Sequence, residues 1–212
     1  MRLTDKYSLF IFDWDNTLVS TPLLLNLTRY SKSRYWNVAR AAERAESAKK
    51  RVSSSSKVRI EGFEEEGKLF SALYDVYLKV QRTKLKPHAV EVLERLRSKG
   101  KKAAVFSDGR SVRVLKEIHY LGLSRYFDFV SGADSFGKYK PDPSGLLYII
   151  DLLKANKKRS VYVGDMNIDV ITARLAGVDS CAISDGLSSF ESLKKEKPTY
   201  LLRNLSALMK SL

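Results

Sequence analysis

The segment Tyr7-Ser8-Leu9-Phe10-Ile11-Phe12 is almost wholly apolar and rich in β-favouring side chains, and it runs straight into Asp13-Trp14-Asp15-Asn16-Thr17. A strand with one wet face alternates apolar with polar. A near-continuous apolar run reads instead as a strand covered on both faces, as in a parallel sheet flanked by helices. Open α/β sheets bind their ligands beyond the carboxyl ends of such strands, which is where these carboxylates fall. Residues two apart on a strand share a face, so Asp13 and Asp15 address one ligand.

From Pro87 onward strands and helices alternate. A helix with Pro87 in its first turn and Val90, Leu93 and Leu96 inward closes at Gly100. A strand from Lys102 to Phe106 ends at Ser107-Asp108-Gly109, and a helix from Val112 to Leu121 closes at Gly122. A short strand near 127–130 precedes Lys138-Tyr139-Lys140-Pro141-Asp142-Pro143. A helix through Leu152, a strand at Ser160–Val163 leading into Gly164-Asp165, a helix to Gly177 and a strand near Ser180–Ile183 follow. This alternation predicts an α/β fold with a doubly wound parallel sheet.

Residues 18–86 have another character. Leu24, Leu27, Tyr35, Val38, Ala41, Ala42, Ala45, Ala48 and Val52 share one arc of a helical wheel, and Phe63, Phe70, Leu73, Tyr74 and Tyr77 mark a second helix. With no strand pattern, this block reads as a helical insert in a core made of 1–17 and 87–212.

Composition narrows the classes. The chain has 212 residues and one cysteine, Cys181, so an intrachain disulfide is impossible and a reducing, cytoplasmic setting is expected. No apolar run reaches the ~18 residues of a membrane span, and the start lacks a signal-peptide core, so no membrane partner is expected. Two histidines exclude a histidine-rich metal centre.

The formal charge of +14 predicts attraction to anions: nucleic acid, acidic surfaces or phosphorylated ligands. Between Arg29 and Arg59 ten basic residues face only Glu43 and Glu46. Arg29, Lys32, Trp36, Arg40 and Arg44 form a stripe on a helix of the insert. It suits weak polyanion or nucleic-acid attraction, or simply a solvated face.

Some patterns lead nowhere. Gly132 to Tyr139 imitates a phosphate-binding loop, but Tyr139 stands where a small hydroxyl must meet Mg²⁺. Cys181 lacks an arginine partner at thiol-phosphatase spacing and reads as a buried core thiol. His88 and His119 have no ligating neighbours in sequence.

Four features fall at expected strand ends: Asp13-x-Asp15-x-Thr17, Ser107-Asp108-Gly109, Lys140-Pro141 and Gly164-Asp165-x-x-x-Asp169. Singly, Asp108 or Asp165 also suits a helix cap. Together, converging carboxylates repel one another, and a hard divalent cation relieves that repulsion. Oxygen-only ligands suit Mg²⁺. Such a cation, Lys140 and the hydroxyls of Thr17 and Ser107 would clamp a transferring phosphoryl group.

In motif order and spacing across the core, the sequence resembles the haloacid dehalogenase-like hydrolases, most of all their phosphoglycolate-phosphatase-type members with a helical cap. The resemblance implies a Rossmann-like α/β core with residues 18–86 as a small helical cap, and that Asp13 is the nucleophile, Asp15 the general acid/base and Lys140 the charge-balancing cation. Thr17, Ser107, Asp108 and Gly109 would hold phosphate, the last two through their backbone. Asp13, Asp165 and the Asp15 carbonyl would bind Mg²⁺, with Asp169 bracing the metal's waters or Lys140. Asp108 replaces the usual asparagine and needs to turn away or to pair with Arg110. The implied activity is Mg²⁺-dependent hydrolysis of a small phosphorylated metabolite. Rivals are a sugar phosphomutase of the same superfamily and a nucleic-acid-binding protein, or nucleic-acid-end phosphatase, that uses the basic cap.

Overall fold

The computed structural model describes residues 2–21 and 83–212. The helices expected within 18–86 and the basic stripe with Trp36 lie outside the described residues. The elements run α1 (Leu3–Lys6), β1 (Leu9–Phe12), β2 (Val19–Ser20), β3 (Lys84–Leu85), α2 (Ala89–Ser98), β4 (Lys102–Phe106), α3 (Ser111–Tyr120) and β5 (Phe129–Ser131). Then come α4 (Ser144–Leu152), β6 (Ser160–Gly164), α5 (Asn167–Ala176), β7 (Asp179–Ile183), α6 (Phe190–Lys195), β8 (Tyr200–Leu202) and α7 (Leu205–Ser211).

Six strands make one parallel sheet in the order β5-β4-β1-β6-β7-β8. This is the doubly wound α/β architecture that the alternation predicts. The chain winds outward from β1 in one direction and then the other, so β1 lies at the switch point between β4 and β6. Phe12 stands level with Val105 on one side and Val163 on the other. Asp13, Ser107 and Asp165 therefore emerge at the same end of three adjacent strands.

Period-two alternation divides β1 between two cores. Phe10 and Phe12 join Val105, Val163 and residues Val92, Leu96, Val114, Ile118 and Leu208 on one face. Leu9 and Ile11 join Phe106, Tyr162, Leu146, Ile149 and Ala173 on the other. All four β1 side chains are fully buried, which explains the missing polar positions in the run.

Several boundaries shift. Helix α2 begins only at Ala89, because His88 adopts a left-handed backbone (φ 65) and leaves Pro87 outside the helix. The inward set is Ala89, Val92, Leu93 and Leu96, with Val90 only half-buried. Strand β5 begins two residues later than expected, after a 3₁₀ turn at Ser124–Tyr126. Gly122 and Gly177 follow α3 and α5 with φ near +70, a region open to glycine at little cost. Strands β2 and β3 pair antiparallel, Val19 with Leu85 and Ser20 with Lys84, so the two ends of the intervening segment leave the core side by side. Residues 1–20 and 83–212 cluster as one unit.

Candidate active site

The loops after β1, β4 and β6 carry the chemistry. Asp13, Asp165 and Asp169 are all buried, and one carboxylate oxygen from each lies within 4.8 Å of the others. Asp13 ends β1, and its N–H continues the ladder to the Val163 carbonyl at 2.8 Å. Asp165 follows β6, and Asp169 stands in the first turn of α5. Lys140, from the loop between β5 and α4, inserts its ammonium into this group. Its Nζ is 3.1 Å from Asp13 Oδ1 and 2.7 Å from Asp169 Oδ1.

Each partner is itself held. Asp169 Oδ1 also accepts from the Tyr162 hydroxyl at 3.2 Å, and Oδ2 accepts from the Met166 N–H at 2.9 Å. Thr17 Oγ1 donates to Asp165 Oδ1 at 2.8 Å, and the Leu187 N–H donates to Oδ2 at 2.8 Å. Asp108 turns its carboxylate onto the Lys140 N–H at 3.1 Å, so its charge braces the lysine loop. Ser107 Oγ accepts from the Gly109 N–H at 3.0 Å and donates to Asp15 Oδ2 at 3.4 Å. Neither Asp108 nor Asp165 acts as the N-cap of the following helix: Asp134 serves the Ser111 N–H, and Asp169 serves that of Met166.

Electrostatics follow from burial. Desolvation raises Asp13 well above the ordinary carboxylate range. Lys140 opposes this, while Asp169, Asp165 and Asp15 reinforce it. Asp165 is pushed up to about 6, chiefly by burial and then by Asp169. For Lys140, burial favours the neutral amine, but Asp13 and Asp169 outweigh it and hold the ammonium protonated. One ammonium cannot neutralise three carboxylates, so the cluster is short of positive charge. Buried, oxygen-only and anionic, it fits a hard divalent cation.

Asp15 points elsewhere. Its carboxylate is taken by Arg113 from α3: Nη1 donates to Oδ1 at 2.8 Å, and Nη2 donates to Oδ2. Lys138, two residues before Lys140, faces Asp142 at 3.0 Å and is substantially exposed. The phosphate-loop imitation at 132–139 contains only a 3₁₀ turn. His88 and His119 are exposed, and Cys181 is buried with its thiol pushed up to about 12 by desolvation.

Residues that sequence reading passes over are Arg113, Glu117, Tyr162, Gly186 and Lys86. The buried Lys86 Nζ binds the Asn16 carbonyl at 2.9 Å and the Asp185 carbonyl at 3.0 Å, tying the loop after β1 to that after β7. The i,i+4 pairing of Arg113 with Glu117 is visible in the sequence, but its inward direction is not.

Comparison with known proteins places the chain in a family. The chain is 37% identical over 128 residues to a protein of Caldanaerobacter subterraneus subsp. tengcongensis named as a candidate pyrophosphatase, PpaX; the match covers 60% of this chain and 58% of that one. It is 29% identical to a phosphoglycolate phosphatase of Psychrobacter arcticus, over 95% of this chain and 94% of the relative. The Caldanaerobacter protein and two phosphoglycolate phosphatases of Pseudomonas are covered to only 45–58% of their length, so the chain spans about half the length of several curated relatives it matches. The crystal structure of a predicted phosphoglycolate phosphatase from Haemophilus somnus superposes with a TM-score of 0.69 at 21% identity, covering 96% of this chain and 97% of that one. The profile described as haloacid dehalogenase-like hydrolase matches residues 10–183, and the chain belongs to that family.

Proposed function

We propose that this chain is a Mg²⁺-dependent hydrolase of phosphate monoesters that works through an aspartyl-phosphate on Asp13. The observation that carries the reading is the buried Lys140 ammonium between Asp13, just after β1, and Asp169, in the first turn of α5. A cation there offsets the charge of a phosphoryl group arriving on Asp13. Asp13, Asp165 and the Asp15 carbonyl would hold Mg²⁺, which supplies charge neutralisation on the phosphate oxygens when bound. Thr17, Ser107 and the Asp108-Gly109 backbone would receive the phosphate.

The chain's residues divide the work into two displacements. An Asp13 oxygen bonds to phosphorus as the bond to the leaving alcohol breaks, and Asp15 gives that alcohol its proton. Asp15 then takes a proton from water as the water oxygen bonds to phosphorus, releasing phosphate and restoring the Asp13 carboxylate. Asp169 and Tyr162 keep Lys140 aimed throughout. Residues 18–86 are read as the cap that selects the substrate, a small phosphorylated metabolite, and the adjacent exits at β2 and β3 support an insert in that role. The names of the relatives favour phosphoglycolate or inorganic pyrophosphate as the first compounds to try.

The test is phosphate release from a panel of small esters and pyrophosphate, with and without Mg²⁺. Hydrolysis that needs Mg²⁺, and that falls roughly a thousandfold or more in Asp13→Asn, is expected. Undiminished turnover in a folded Asp13→Asn preparation defeats the covalent route. Isomerisation of a sugar phosphate without net phosphate release transfers the chain to the mutase reading.

A further inference from the structure

We propose that Arg113, braced by Glu117, is the positioning residue of Asp15; the assignment rests on the phosphatase reading and deepens it. Asp13, Asp165 and Asp169 form the compact carboxylate group, whereas the Asp15 carboxylate is bound by a guanidinium. Each of its oxygens accepts from one Nη atom of Arg113, Oδ1 from Nη1 and Oδ2 from Nη2, and both side chains are buried. A planar fork gripping a carboxylate at two points sets the plane of that carboxylate, which a single ammonium contact does not.

The fork is held in turn. Arg113 Nη1 lies 3.2 Å from Glu117 Oε1 and 3.1 Å from Oε2. Glu117 is almost fully buried and accepts from the Trp14 indole N–H and from Thr83 Oγ1 at 3.1 Å. Two carboxylates and one guanidinium out of water are costly to assemble, and a well-packed apolar cluster often serves stability equally well. The arrangement makes physical sense where orientation of Asp15 matters. Trp14 belongs to the motif loop and Thr83 lies just before β3, so Glu117 refers the position of Arg113 to the same loop that carries Asp13 and Asp15. In this account Arg113 touches no substrate. It keeps Asp15 on the side of the cleft where the leaving oxygen departs, and hands over one carboxylate oxygen when that oxygen needs a proton.

Such a role has a signature that mere structural support lacks. An alkoxide leaving group needs the proton of Asp15, whereas p-nitrophenolate departs without it. For a covalent route kcat/KM reports the steps through departure of the alcohol. Arg113→Lys keeps the charge and removes the fork. It is expected to lower kcat/KM for β-glycerophosphate roughly thirtyfold, and that for p-nitrophenyl phosphate less than about threefold. In an Asp15→Asn background the same change should cost less than about twofold on either ester, because the group it positions is gone. Glu117→Gln, which preserves shape, should show a weaker loss with the same selectivity, and it keeps the test open should Arg113→Lys fold poorly. Equal losses on the two esters, or an undiminished further loss in Asp15→Asn, overturn the positioning role and leave the phosphatase reading standing. Wild-type protein that releases phosphate from no compound of the panel, these two esters included, overturns both.

Discussion

At Gly186 the chain passes so close to the candidate metal site that an added Cβ would lie 2.2 Å from Asp165 Oδ2 and 2.3 Å from its Cβ. The neighbouring Leu187 N–H then binds the same oxygen. A bare backbone here thus both makes room for Asp165 and aims it. Gly186→Ala must displace that carboxylate. It is expected to weaken Mg²⁺ affinity by about tenfold or more, measured by titration calorimetry, since supports of metal ligands matter on that scale. Unchanged affinity in that variant rejects the idea that Asp165 orientation depends on this close approach. Nothing in the local sequence Ser184-Asp185-Gly186 announces such a contact, because Asp-Gly is equally a simple turn signal. Asp13 and Asp165 are legible as residue types at strand ends, whereas the partners that hold them come from 22 to 148 residues away.

Strand β1 shows what an element contributes. Its four buried residues face two different cores, so it is anchored from both sides, and it carries Asp13 on its next residue. Ile11 packs with Leu9, Phe106, Tyr162 and Ile149, all fully or nearly fully buried. Ile11→Ala is expected to lower stability by about 2–5 kcal/mol in urea unfolding, the usual cost of a cavity at a site that cannot collapse. A loss below about 1 kcal/mol contradicts the view that β1 is clamped between two layers. This element was readable because burial on both faces erases the polar alternation. Strand β8 and helices α6 and α7, by contrast, were not assigned from the sequence. Tyr200–Leu202 is three residues long and half-buried, too short to leave a period. Helix α2 was legible as an element but not in its exact register, because the left-handed turn at His88 is a tertiary choice.

Across the whole molecule, the carboxylate cluster couples stability to pH and to cation. In the unfolded chain Asp165 titrates near 3.8, and in the folded one it is pushed up to about 6. Below 3.8 both states hold the proton and its favourable contribution is complete. As pH rises through 6 the folded state is forced to ionise a buried group, and that contribution is lost. Asp13 is raised in the same direction. The cation-free protein should therefore lose stability between about pH 4 and about pH 6.5, and a divalent cation should restore it. The rise in melting temperature on adding Mg²⁺ is expected to be larger at about pH 7.5 than at about pH 5, because the ligands must shed protons to bind. A rise that is equal at both values is incompatible with a cation held by these raised carboxylates.

The alternation of strands and helices from β4 to β7 and the acids at the strand ends are present in one dimension. Burial on two faces and strand-end position leave local traces that need no partner to be seen. What lay beyond that reading is mutual orientation. That Asp15 is gripped by Arg113, that Asp108 braces the lysine loop and that Thr17 serves Asp165 are facts of approach between segments far apart in the chain. Hydrogen-bond geometry depends on distances of a few tenths of an ångström between packed layers, and only the assembled sheet supplies them.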